Sequence, residues 1–93
     1  MTSYRVLSSN DLRKHYFAIG KDAATKLNLD KRFTLICHGV KYPDRKIDKS
    51  KGYGHVYARK EFFDNHHLNA GDRLDFEIDS LTNTIIISIT YKK

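Results

Sequence analysis

The chain has 93 residues, with 17 Lys and Arg against 11 Asp and Glu, a formal net charge of +6, 40% hydrophobic residues and a single proline. That length suits one small domain burying about 60–65% of its unfolded surface, and the composition excludes a disordered or linker-like chain. No apolar run approaches the ~20 residues of a membrane span and no signal-peptide core opens the chain. The lone Cys37 has no internal disulfide partner, so an intracellular setting without membrane association is expected.

In chain order, Ser3 to Leu7 alternates weakly and predicts a first strand with Tyr4 and Val6 on one face. Ser8-Ser9-Asn10-Asp11 is turn and N-cap chemistry, followed by the basic segment Leu12-Arg13-Lys14-His15 as a short helical turn or an extended arm. Tyr16 to Gly20 predicts a second strand. A helix opens at Lys21 or Asp22 and runs through Leu27, burying Ala23, Ala24 and Leu27. After the turn Asn28 to Arg32, Phe33 to Cys37 predicts a strong strand. Val40 and Tyr42 extend the sheet, Pro43-Asp44 turns the chain, and Lys46 to Asp48 starts another strand. Lys49 to Gly54 is a basic, glycine-containing tip, and His55-Val56-Tyr57 re-enters the sheet.

The last third is the most regular. Arg59 to His67 predicts two to three helical turns with Phe62, Phe63 and His66 inward. Gly71 permits a positive φ and Asp72 bonds back to nearby amides, which ends the helix region. From Arg73 the period is two: Leu74, Phe76 and Ile78 face the core, while Arg73, Asp75, Glu77 and Asp79 face out. After Ser80 to Asn83 turns the chain, Ile85, Ile87 and Ile89 form the matching apolar face of a return strand.

Two features of organisation follow. Leu29, Leu35 and Cys37 lie thirty-nine positions before Leu68, Leu74 and Phe76, so the order strand, helix, leucine, turn, strand occurs twice. Two pseudo-equivalent halves closing around one core fit two copies better than a solenoid does. Charge is also segregated: residues 1–60 hold 14 basic and 5 acidic residues, residues 61–93 hold 3 and 6. A basic part beside an acidic sheet face points to one surface that attracts a polyanion.

Two segments carry that charge, Ser8 to His15 and Arg45 to His55. Asn10, Arg13 and Arg45 have the amide or fork geometry that reads base edges, and Lys14, Lys46, Lys49 and Lys51 suit point-charge contacts to phosphate. Ser9, Ser50, Tyr53 and His55 suit either, and Ser8 and His15 bound the first segment. Gly52 and Gly54 would let the tip conform to a groove.

The run from Gly52 to Tyr57, through Glu61-Phe62-Phe63 and Asn65, to Leu68-Asn69-Ala70-Gly71-Asp72-Arg73-Leu74-Asp75-Phe76 resembles the second half of a DNA-binding pseudobarrel. That superfamily includes the plant B-three domains and the effector or target-recognition domains of some restriction endonucleases. Leu7 to Leu12, the strand from Tyr16 and the helix to Leu27 resemble its first half, so the likeness spans nearly the whole chain. The resemblance implies two arms that grip the major groove of DNA, which fall by position on Ser8 to His15 and Lys46 to His55. The plant domains usually carry a Trp or Arg near the second arm; this chain has no Trp, so base specificity is not carried over.

The expected fold is therefore mainly β with two short helices, an open pseudobarrel of about seven strands spanning residues 1–93 as one DNA-binding domain. The expected partner is double-stranded DNA, bound sequence-specifically by a monomer or by a domain of a larger assembly, as a transcription regulator or a restriction-system module. Three other readings stay open: an RNA or single-strand binder stacking bases on Tyr42, Tyr53 and His55, a swapped-hairpin dimer like the transition regulators, and a protein-interaction domain.

No enzymatic role, small-molecule substrate, cofactor or metal is expected. His66 and His67 point about 100° apart on a helix, Cys37 and His38 lie on opposite faces of a strand, and no metal-ligand or catalytic spacing occurs. Cys37 sits in an apolar strand as a small core residue.

Overall fold

The computed structural model describes residues 3–27, 31–48 and 55–92. The elements follow the order β1 (Ser3–Val6), α1 (Ser9–Lys14), β2 (Tyr16–Ala18), α2 (Lys21–Thr25), β3 (Phe33–Cys37), β4 (Val40–Arg45), β5 (Ile47–Asp48), β6 (His55–Tyr57), α3 (Arg59–Asn65), β7 (Arg73–Asp79) and β8 (Thr84–Thr90). The chain is thus mainly β, with eight strands and three short helices among the described residues. The added helix is α1, where the sequence left a helical turn and an extended arm both open.

Five strands form one sheet in the order β1-β7-β8-β3-β4, and three form a second in the order β2-β6-β5. Neighbours are antiparallel except β3 and β8, which run parallel with Leu35 opposite Ile85 and Cys37 opposite Ile87. No ladder joins the two sheets among the described residues, so the architecture is open. The internal repeat is visible in the topology. β2-α2-β3 and β6-α3-β7 each start in the small sheet, pass through a helix and end beside β8 in the large one. The two starting strands pair with each other, Phe17 opposite Val56.

The period-two pattern of β7 and β8 holds. Leu74, Phe76, Ile85 and Ile87 are buried, Ile78 and Ile89 pack at the margin, and Arg73 and Glu77 are exposed. Both sheets contribute to the same core. Phe17 of β2 stacks on Phe76 of β7 with centroids 5.3 Å apart at 12°, and Phe62 of α3 meets Tyr42 of β4 edge-on at 5.2 Å. The inward face of α3 is Phe62, Phe63 and His66, as its spacing predicts, although the helix ends at Asn65.

Pro43-Asp44 is not a turn. Both residues lie within β4, an edge strand, where Pro costs no ladder hydrogen bond. Phe33 pairs with Arg45 but Leu35 with Tyr42, so β4 holds one extra residue, a bulge in which Asp44 takes φ 60°. The Gly71-Asp72 turn forms as its residues dictate. Gly71 has φ 95°, and the buried Asp72 carboxylate accepts from the backbone amides of Asn69 at 2.7 Å and Lys92 at 2.8 Å. Among the described residues no helix is long and apolar enough to cross a membrane.

Candidate nucleic-acid interface

The small sheet turns Phe17 and Val56 into the core, so the residues on either side of them in β2 and β6 face outward. Tyr16 pairs with Tyr57 and Ala18 with His55 across this two-strand ladder. The result is a cluster of rings on one face. Tyr16 lies nearly parallel to His55, with centroids 4.7 Å apart at 12°, and is tilted against Tyr57 at 5.9 Å. Tyr57 is 41% exposed. His55 Nδ1 is buried and has no hydrogen-bond partner among the described residues.

One edge of this face is α1, and its sequence explains its rigidity. Ser8 is the N-cap: its Oγ accepts from the Asp11 amide at 3.2 Å, and the Asp11 carboxylate accepts from the Ser8 amide at 3.1 Å, a reciprocal capping box. Arg5 reaches across from β1 and donates to both Asp11 oxygens, from Nε at 3.0 Å and Nη2 at 3.1 Å. The helix ends at His15, in the left-handed region at φ 59°, with its ring 5.9 Å from that of Phe63. On the exposed side Arg13 Nη2 donates to Asn10 Oδ1 at 2.7 Å, and Asn10 Nδ2 donates to Tyr16 Oη at 3.2 Å. A guanidinium, an amide and a phenol are thereby linked into one chain leading onto the ring cluster.

A second edge is the seam between β4, β6 and α3. Asp44, Lys46, Tyr57 and Arg59 line an open depression of about 360 Å³. Arg59 Nη2 donates to the Asp44 carbonyl at 3.2 Å, the Arg59 amide donates to the His15 carbonyl at 3.4 Å, and the Tyr57 amide donates to the Lys46 carbonyl at 3.3 Å. The seam is therefore tied to the C-terminal end of α1.

The residues singled out in the sequence fall into three groups. Ser9, Asn10, Arg13, Lys14 and Lys46 are exposed, His55 is half-buried within the ring cluster, and His15 is half-buried against the Phe63 ring. Two are engaged in structure: the Ser8 hydroxyl caps α1, and Arg45 is only 4% exposed. Arg45 Nε donates to the Ala58 carbonyl at 3.1 Å and Nη1 to the Pro43 carbonyl at 2.7 Å, with the guanidinium 5.6 Å from the Tyr42 ring centroid. Burial, then the Arg59 charge, lowers its pKa. Arg45 thus holds the bulge to the β6–α3 junction, and its expected role as a surface base reader is corrected. Lys49, Ser50, Lys51 and Tyr53 lie outside the described residues.

Tyr42, expected as a stacking platform, is likewise in the core at 2% exposure, its hydroxyl 2.8 Å from His66 Nε2. The sequence did not single out Tyr16, Tyr57 or Arg59. The pairing of β2 with β6, some forty residues apart in the chain, brings Tyr16 to Tyr57, and the amide bond from Arg59 to His15 adds the third.

Burial raises the Cys37 thiol to a pKa of about 11, so at neutral pH it is a protonated core residue. No group of three or more His, Cys, Asp and Glu side chains converges among the described residues.

A structural comparison finds the same fold in a hypothetical protein from Arabidopsis thaliana, with a TM-score of 0.65 and 15% sequence identity over 97% of this chain and 89% of that one. At that identity the likeness shows the fold alone. No protein-family profile and no curated protein sequence matches this chain.

Proposed function

We propose that this chain binds double-stranded DNA sequence-specifically through the outward face of β2 and β6, with α1 and the segment from Lys46 to His55 as two arms entering the major groove. The observation that carries the reading is the conjunction of an outward ring cluster (the half-buried Tyr16 and His55 with the exposed Tyr57), a pre-organised Arg13–Asn10 pair, and the exposed cations Lys46 and Arg59, with Lys14 in the last turn of α1. Cations suit phosphate, and an arginine or asparagine suits a base edge.

The resemblance of Leu68 to Phe76 and its flanks to DNA-binding pseudobarrels supports the same reading. In biological terms such a domain serves as a transcription regulator or as the recognition module of a restriction system, alone or within a larger assembly.

A second reading, binding of single-stranded RNA or DNA, is favoured by the parallel stacking of Tyr16 on His55, an arrangement that continues naturally onto an unpaired base. Equilibrium binding of mixed-sequence duplex DNA, single-stranded DNA and RNA across a salt titration separates the two. The duplex reading predicts preference for the duplex, with log affinity falling by ~0.9 per phosphate contact per unit of log salt. Tighter binding of single strands supports the second reading. No binding of either at ~50 mM salt overturns both and turns attention to protein partners.

A further inference from the structure

The seam beside the ring cluster gathers three non-glycine residues with left-handed backbone: His15 at φ 59°, Asp44 at φ 60° and Arg59 at φ 74°. Arg59 joins the other two, since its amide donates to the His15 carbonyl and its guanidinium to the Asp44 carbonyl. Histidine and aspartate enter this region readily, but for a long, unbranched arginine it is a strained conformation that glycine would adopt without cost. Strain of this kind persists where the surrounding structure imposes it, and it concentrates at functional sites.

The local charge pattern is the second observation. Lys46 and Arg59 line the depression with the Tyr57 ring, and the buried guanidinium of Arg45 stands close enough for Arg59 to oppose its charge. Asp44 in the wall and Glu61 on the first turn of α3 offset part of this charge. Attraction of an anion therefore depends on direct contact within the depression and not on a broad field. The bond to the Asp44 carbonyl aims the guanidinium while using one of its five N–H donors.

We infer that the depression between β4, β6 and α3 receives one phosphate of the DNA backbone, with Lys46 and Arg59 as its donors and Tyr57 against the adjoining sugar, and that the left-handed backbone at Arg59 is maintained for this contact. The inference rests on the duplex reading above and adds to it a phosphate site at the base of the second arm, where Lys46 meets Arg59 of α3. It also gives the strain a purpose: the position keeps a charged side chain where glycine would be easier to fold.

The test compares stability and duplex affinity in four variants of the full chain. Arg59→Gly relieves the strain and removes the guanidinium, so its melting temperature is expected to stay equal or rise by a few degrees while duplex affinity falls about tenfold at low salt. Lys46→Gln, at an exposed side chain, lowers the salt slope by ~0.9 without changing stability. Arg59→Lys keeps a charge and recovers most of the slope but not the full affinity. Lys60→Gln removes a neighbouring exposed cation that does not line the depression and leaves the slope unchanged. If the wild type binds duplex and both Lys46→Gln and Arg59→Gly match it, the phosphate site is overturned while the duplex reading stands. Equal losses in Lys60→Gln and Lys46→Gln also overturn it, because only general charge would then matter. If the wild type does not bind duplex, the functional reading itself fails and takes this site with it. Should Arg59→Gly fold poorly, the strain argument is wrong, and Lys46→Gln against Lys60→Gln still decides the phosphate contact.

Discussion

The two sheets present outward faces built on the same pleat and opposite in chemistry. On the large sheet the one exposed guanidinium of β7 is taken up locally. Arg73 donates to both Asp75 oxygens at 3.0–3.2 Å and lies 4.0 Å over the Tyr4 ring, which leaves Glu77 and Asp79 against Lys41 of β4, so the face is net acidic. On the small sheet the rings of Tyr16, His55 and Tyr57 lie between α1 and the Lys46–Arg59 seam, and the hydrogen bonds of the cations align them without neutralising them. A cation held by a carboxylate is an element of structure. A cation aimed by an amide or a carbonyl keeps its charge for a partner.

Four predictions break or sharpen that contrast. The largest effect comes from the joint between the sheets. Phe17→Ala removes the ring stacked on Phe76 and is expected to cost about 3–5 kcal/mol in chemical denaturation, so both faces are lost together. Next, Tyr16→Ala and Tyr57→Ala should each weaken nucleic-acid binding by about 1–3 kcal/mol in an equilibrium titration, with little change in fold. Asp75→Asn and Glu77→Gln on the opposite face should leave affinity equal or slightly higher; a larger loss there than at the tyrosines would invert the assignment of faces.

A smaller effect distinguishes the two arms. Removing Lys49 and Lys51 should weaken all sequences alike and reduce the salt slope, whereas Arg13→Ala or Asn10→Ala should relax preference at particular base pairs in a site-selection assay. The smallest is a pH effect in the core between the faces. Burial, then the charges of His38 and His67, lowers the His66 pKa from its ordinary 6.5, so the folded state disfavours the proton. Stability is therefore full above pH 6.5 and falls as pH drops below it, because the unfolded chain takes up a proton that the fold resists. The wild type should lose denaturation midpoint over that window, and His66→Gln, which cannot titrate, should show a flatter profile.

How much of this was legible in the sequence depends on the range of the interactions. β7, β8, α3 and the Gly71-Asp72 turn are local patterns, an alternation, a helical spacing and a left-handed glycine, and they formed as their residues dictate. The capping box of α1 was present as Ser8 and Asp11 but left its segment open between helix and arm, since a six-residue helix needs tertiary support. Arg5 supplies that support from another strand. Tyr42 is inward by the ordinary register opposite Leu35, whereas Arg45 was misplaced because the extra residue in β4 puts a charged side chain inward, an event that period-two reasoning does not foresee. There the Ala58 and Pro43 carbonyls satisfy the guanidinium. The ring cluster was invisible for a plainer reason: Tyr16 and Tyr57 meet only through a long-range antiparallel pairing that no local window contains.

The central claim is that the β2–β6 face is the DNA surface, and the most direct measurement is a nuclear magnetic resonance titration of the labelled protein with duplex DNA at low salt. The prediction is that amide shifts concentrate on α1, Tyr16, His55, Tyr57 and Arg59, while Arg73 to Asp79 and the outward residues of β8 stay still. Shifts concentrated on the β7–β8 face, or none at a concentration where a duplex binder saturates, would contradict it.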